Sequence, residues 1–255
     1  KKLSFEYYLT IGRSSILKIA KAINPDVIHQ HIPQVFGYIL SDFPCIKVAT
    51  IHDGLPEKQI LQNLSYYKSL RFITIRRWLN FRKMDAITSV SLHNANYMTE
   101  RYDHRYNFKT IPNGIDSDYF KPLNNVKKKN YILYVGRLLR RKGVDNLIQA
   151  SKLLPELDFK FIGKGHLSKQ IIGSNLEYIG FVDDLPKYYN EAKICVFPSN
   201  SENYPLVGLE AMACGTPCVA TDVGDTAFIV GNTGWIIPPG NPQALANAIL
   251  KAVEE

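Results

Sequence analysis

Short apolar runs and amphipathic stretches alternate along most of the chain, and the apolar period switches between two and about 3.6 residues at each change. Continuous runs such as Tyr131–Val135 and Ile194–Phe197 read as strands buried on both faces, the pattern of parallel sheets. In the first half, strands are expected at Asp26–Gln30, Ile46–Ile51, Ala86–Val90 and Lys109–Ile111. Helical spacing appears across Ser14–Ile23, much of Gln59–Lys83, and Leu92–Arg101. Between Pro112 and Asn130 the pattern breaks into Pro, Asn, Gly and a lysine run, which reads as an interdomain linker.

The second half starts afresh. Strands are expected at Tyr131–Val135, Phe159–Ile162, Leu176–Tyr178, Ile194–Phe197 and Cys218–Thr221, with an edge segment at Trp235–Ile237. Helices are expected over Val144–Leu154, Leu185–Ala192 and Leu206–Cys214, a short one from His166 and a last one from Pro242. Strand–helix alternation of this kind builds βαβ units. The expected fold is therefore α/β with two Rossmann-like domains, residues 1–121 and 122–255.

Composition adds bounds to this picture. The 255 residues suit one large or two ordinary domains, and the longest apolar runs fall short of the ~18 residues that span a bilayer. The chain opens on Lys1 rather than methionine, which leaves room for a preceding segment. Four cysteines, Cys45, Cys195, Cys214 and Cys218, show neither disulfide nor zinc spacing and fit a reducing cytoplasm. Charge is uneven: residues 1–121 carry 17 Lys/Arg against 10 Asp/Glu, and residues 122–255 carry 14 against 13. The first half at +7 suits an anionic surface such as lipid headgroups at the inner face of a membrane, and equally suits a merely solvated basic face. Tyr66–Arg82 mixes aromatics with five Lys/Arg and admits two readings, an interfacial membrane helix or a core helix with a basic rim. No recognition fold for nucleic acid accompanies the charge.

The chemistry concentrates after the strand Ile194–Phe197. Glu202 falls in the following loop, and Glu210 on the first turns of the helix opened by Pro205, a residue suited to a helix start. Backbone N–H groups near Tyr204, Leu206 and Val207 form an anion site at the positive end of that helix. Strand ends are where open α/β sheets bind ligands. Two carboxylates flanking a phosphate site suggest hydroxyls on either side of a phosphate, the outline of a nucleotide sugar.

This segment resembles the E-x7-E signature of retaining glycosyltransferases of family 4, including its ending Glu210-Ala-Met-Ala-Cys-Gly-Thr-Pro. Val135-Gly136-Arg137 through Lys142-Gly143 resembles the family's other donor motif, and Pro112-Asn113-Gly114-Ile115-Asp116 its interdomain signature. The three matches cover roughly residues 85 to 240. Where many members carry Gly-Phe-Gly after the first Glu, this chain has Asn203-Tyr204-Pro205, which alters the loop.

The resemblance implies the GT-B arrangement of two facing Rossmann-like domains, with the first incomplete and both ends of the enzyme trimmed or naturally short. It implies that Arg137 and Lys142 grip the donor diphosphate, where fixed cations meet the leaving group's charge as it develops. Arg suits bidentate phosphate contact, and Lys a mobile point charge. Gly136 and Gly143 would permit close backbone approach. Glu210 would accept from the ribose hydroxyls, while Glu202 would contact the transferred hexose and the developing positive ring. Backbone around Phe181 and Val182 would hold the nucleobase, and Gly163-Lys164-Gly165 would lie near the donor. His52, at a strand end, would sit beside sugar and phosphate as a hydrogen-bond donor. One of His29 and His31 would line the acceptor cleft, while Asn113 and Gly114 shape the hinge.

The implied activity is transfer of a hexose from a nucleoside-diphosphate sugar to a hydroxyl of a glycan or lipid-linked acceptor, with domain closure excluding water. Glu202, Lys142 and His52 are the catalytic candidates. Gly136, Arg137, Lys142, Gly163, Phe181, Val182, Tyr204, Leu206, Val207 and Glu210 are the donor-binding ones. No Asp-x-Asp stands at a strand end, and the adjacent Asp183 and Asp184 read instead as a turn and a helix cap. No metal or cofactor is expected. Two other classes remain open: a non-catalytic nucleotide-sugar-binding module, which would release no diphosphate, and a nucleotide-sugar epimerase, which would need no acceptor.

Overall fold

A computed structural model describes residues 15–31, 43–52, 81–101 and 106–255. The chain forms two compact units, Lys1–Pro112 and Asn113–Glu255. The basic segment Tyr66–Arg82, apart from its last two residues, lies outside the described residues, as do Ser14 and most of the helix expected over Gln59–Lys83.

In the first unit, residues 15–23 are helical, and four parallel strands follow in sheet order β1-β2-β3-β4. They are β1 (Val27–His31), β2 (Ile46–Ile51), β3 (Ala86–Ser89) and β4 (Phe108–Thr110). Helix α1 (Leu92–Arg101) joins the last two. Ile51, Ile87, Ala95, Met98 and Phe108 are buried together with Phe81, whose ring meets Phe108 edge-on at 5.6 Å.

The second unit is a six-stranded parallel sheet in the order β10-β9-β8-β5-β6-β7. Its strands are β5 (Tyr131–Val135), β6 (Asp158–Ile162), β7 (Leu176–Gly180), β8 (Ile194–Phe197), β9 (Cys218–Thr221) and β10 (Gly234–Ile237). The helices are α2 (Val144–Lys152), α3 (Leu185–Glu191), α4 (Leu206–Ala213), α5 (Thr226–Val230) and α6 (Pro242–Glu254). This is the doubly wound order, with the chain leaving β5 toward one edge and β8 toward the other.

Period-two alternation along β5 sorts the two cores. Ile132 and Tyr134 join Phe159, Phe161, Val196, Leu147 and Ile249 on one face. Tyr131, Leu133 and Val135 join Cys195, Phe197, Ala211 and Tyr189 on the other. Each large side chain buried in this way contributes about 1.5–3 kcal/mol, so both faces of the sheet anchor the strand ends firmly. Asp184 caps α3 by accepting from the Lys187 N–H at 3.4 Å, and Asn241 caps α6 through the Ala244 N–H at 3.0 Å.

Past Pro112, the chain is bonded to the second unit. The Tyr119 hydroxyl donates to the Asp183 carbonyl at 2.9 Å. Asn190 accepts from the Leu123 N–H at 2.8 Å and donates to the Lys121 carbonyl at 3.0 Å. Short α5 fills a stretch for which the sequence pattern carried no expectation. Pro205 serves as the N-cap of α4 rather than its first helical residue. Among the described residues no helix is long and apolar enough to cross a membrane.

Candidate donor site at the switch point of the second sheet

Between β5 and β8 the sheet reverses its direction of winding, so the loops leaving their carboxyl ends diverge and open a crevice. The β5 loop holds Gly136 and Arg137, then a short 3-10 helix, Arg140–Lys142. The β8 loop holds Ser199 to Tyr204. Hydrogen bonds tie the two loops together: the Asn200 N–H donates to the Arg141 carbonyl at 2.9 Å, Asn200 Nδ2 to the Arg140 carbonyl at 2.8 Å, and Arg141 Nη1 to the Ser201 carbonyl at 3.2 Å. Thr221 Oγ1 pins the Ser199 carbonyl at 2.5 Å.

Within this frame Lys142 and Glu202, sixty residues apart in sequence, form an ion pair. Their side chains are only 21% and 15% exposed, so each charge is partly desolvated and needs the other. Arg137, on the same β5 loop as Lys142, is exposed, and its carbonyl accepts from the Tyr134 hydroxyl at 2.8 Å. Burial drives the Tyr134 hydroxyl pKa well up, with Glu202 adding and Arg137 opposing, so this phenol stays a neutral donor at the foot of the charged group.

The glycines are explained by loop packing. Gly143 ends the 3-10 helix at φ 69°, and a Cβ there would run into the Pro198 carbonyl. At Gly163 (φ 136°) a Cβ would strike the Gly136 carbonyl. The loops after β5 and β6 therefore touch backbone to backbone, reinforced by the Gly136 N–H donating to the Ile162 carbonyl at 2.9 Å. Lys164 extends over the Phe181 ring at 5.3 Å, and that ring is 69% exposed. Val182, by contrast, packs on the sheet core, as does Val207, so a ligand would meet these two through backbone atoms.

Helix α4 begins without a side-chain cap, which leaves its first N–H groups directed at the β8 loop. Leu206 is exposed there. Tyr204 is partly buried, and burial raises its hydroxyl pKa, with Asp225 adding to the effect. One turn on, Glu210 is not part of the Lys142–Glu202 pair; its Oε2 accepts from the Tyr189 hydroxyl of α3 at 2.7 Å. Burial raises the Glu210 pKa, and the Tyr189 hydrogen bond opposes that rise.

The first unit carries the histidines at the carboxyl end of its own sheet. His31 Nδ1 lies 2.7 Å from His52 Nε2, and His29 Nε2 lies 2.6 Å from Thr50 Oγ1, itself bonded to Thr88 Oγ1 at 2.7 Å. His52, one residue past the end of β2, is thus paired with His31 at the end of the adjacent β1. Among the described residues no group of three His, Cys, Asp or Glu side chains is arranged to hold a metal ion. Tyr189 is the residue that the sequence reading passed over. A tyrosine rather than a phenylalanine on the buried face of a helix was the available signal, because a buried hydroxyl requires a partner.

Comparison with known proteins agrees with this architecture. A family model described as glycosyl transferases group 1 matches residues 129–255, and one described as glycosyltransferase family 4 matches residues 3–119. A glycosyltransferase of Methanocaldococcus jannaschii is 31% identical over 245 residues, covering 89% of this chain and 65% of the relative, so the chain spans just under two thirds of that protein's length. The UDP-Gal:alpha-D-GlcNAc-diphosphoundecaprenol alpha-1,3-galactosyltransferase of Escherichia coli is 25% identical over 278 residues, covering 94% of this chain and 70% of that protein. The structure of HepE from Anabaena, solved in complex with UDP, superposes with a TM-score of 0.78 at 21% identity, over 95% of this chain and 72% of that one. The two parallel α/β units are those of the GT-B fold, and the chain belongs to the family 4 glycosyltransferases.

Proposed function

We propose that the chain transfers a hexose, with retention, from a nucleoside-diphosphate sugar to a hydroxyl on a glycan or lipid-linked acceptor, without a metal ion. The observation that carries this reading is the desolvated Lys142–Glu202 pair at the switch point. It sets a cation for the diphosphate against a carboxylate for the sugar, beside the uncapped start of α4. Arg137 and Lys142 take the charge that a metal would otherwise meet as the C1–O bond breaks. The acceptor oxygen attacks C1 from the face the diphosphate leaves, and its proton passes to a leaving-phosphate oxygen. Glu202 faces the developing positive ring, and Glu210 accepts from the ribose hydroxyls. His52 is the first unit's candidate to donate a hydrogen bond to the diphosphate or the acceptor hydroxyl.

UDP is the first nucleotide to test, since HepE binds it and the Escherichia coli relative is named for UDP-Gal and a diphosphoundecaprenol acceptor. The free cysteines and the basic first half fit work in the cytoplasm against the anionic inner face of a membrane. Calorimetric titration with UDP tests the donor site: Lys142→Ala and Glu210→Ala should each lower affinity by roughly tenfold or more, the worth of one charge-assisted hydrogen bond. Glu202→Ala should instead lower turnover more than affinity. Undiminished UDP affinity in both of the first two variants would overturn the assignment.

A further inference from the structure

We infer that Tyr189 is a positioning residue for the ribose of the donor: it holds one oxygen of Glu210 so that the other is presented to a ribose hydroxyl. This rests on the reading that Glu210 faces the ribose. Its phenol donates to Oε2 at 2.7 Å, which leaves Oε1 as the oxygen for the ligand. A carboxylate with one oxygen pinned by a rigid donor cannot turn freely, so it meets a hydroxyl without first losing rotamer entropy.

Tyr189 is itself immobilised from several sides. Its ring is 0% exposed in the core shared by Cys195, Phe197 and Ala211. Its carbonyl accepts from Thr216 Oγ1 at 2.5 Å, and Thr216 Oγ1 in turn accepts from Lys128 Nζ at 2.7 Å. The Phe120 ring meets it at a centroid distance of 6.1 Å, steeply tilted. A side chain wanted only for packing would be phenylalanine; the hydroxyl in this core has Glu210 as its partner. The Glu210 charge in turn bears on two buried thiols. Cys195 is raised by its hydrogen bond to Cys218 and by burial, and Cys214 is pushed up to about 11 by burial. Both are neutral near pH 7, so Tyr189 is the group set to favour the ionised carboxylate.

The test compares UDP with 2′-deoxy-UDP by calorimetry on the chain as it stands and on its Tyr189→Phe and Glu210→Ala variants, at pH 7.5 and at about pH 5.5. Tyr189→Phe keeps the ring and its packing. The expected result is that the starting chain prefers UDP, that Glu210→Ala erases this preference, and that Tyr189→Phe loses roughly tenfold in UDP affinity, the scale of one hydrogen bond to a charged group. That loss should deepen at the lower pH, because without the phenol the carboxylate protonates at a higher pH than before. If Glu210→Ala erases the ribose preference while Tyr189→Phe keeps it at both pH values, the positioning role is overturned and the donor site stands. If Glu210→Ala leaves the preference intact, the ribose reading falls and this inference falls with it.

Discussion

Glu210 is set in an environment that works against its own charge. Burial is the larger influence and raises its pKa above the ordinary 4.5. A carboxyl group whose folded pKa is raised leaves stability untouched below the unfolded value, where both states are protonated. Stability is then lost as pH climbs from about 4.5 through the folded pKa, because the folded chain must hold a desolvated anion. Glu210→Gln removes that anion while its amide oxygen can still accept from Tyr189. We therefore expect this variant to melt at a higher temperature than the starting chain at pH 7, with the gap closing by pH 4, and to bind UDP more weakly. A lower melting temperature at pH 7 would show that the carboxylate stabilises the fold after all. Such a trade of stability for a ligand group is common where chemistry is done. The identity of Glu210 was legible in the sequence because Glu202, Glu210 and Gly215 share one short motif. The partners of these acids were not legible: Lys142 lies sixty residues from Glu202 and Tyr189 twenty-one from Glu210, distances that only the fold closes.

At the scale of elements, the turn between the 3-10 helix and α2 decides where Lys142 points. Gly143 accepts φ 69° and presses against the Pro198 carbonyl, which locks the β5 loop onto the β8 loop. Gly143→Ala adds left-handed strain and a clash with rigid backbone, together at least about 3 kcal/mol. That corresponds to a fall in Tm of roughly 6–12 °C for a chain of this size. The loop must also move, so UDP affinity should fall along with stability. A variant with unchanged Tm would mean that the two loops are not held together there. Most elements could be read in advance because each buried strand has a continuous apolar run, and helices such as α2 and α6 show one apolar stripe. What escaped was α5: five residues between Gly224 and Gly231 are too few to establish a helical period. Ends shifted for local reasons. β7 runs on to Gly180 because its ladder with β6 slips between Phe161 and Ile162, and such a slip leaves no trace in hydropathy.

For the whole molecule, the question is how much of the donor site the second unit owns. Both buried faces of its sheet draw on residues 131 to 253, with Phe120 packed against one of them. The linker-based boundary at 121/122 would cut away Tyr119, which bonds the Asp183 carbonyl, and Phe120, which lies on Tyr189. Proline, asparagine and the lysine run announce a break in periodicity, but not which unit claims the residues inside the break; that depends on two aromatic side chains finding a groove. A fragment of residues 113–255 should therefore fold cooperatively and bind UDP within a few-fold of the full chain, while transferring no sugar for want of the first unit. A fragment of residues 122–255 should lose about 2 kcal/mol of stability from the missing Phe120 contact alone. It should also bind UDP more weakly, because Tyr189 is less firmly held against Glu210. Thermal melts and UDP titrations of the two fragments side by side check this directly. Equal stability and equal affinity would show that the segment before residue 122 is only a tether, and that the donor site is complete without it.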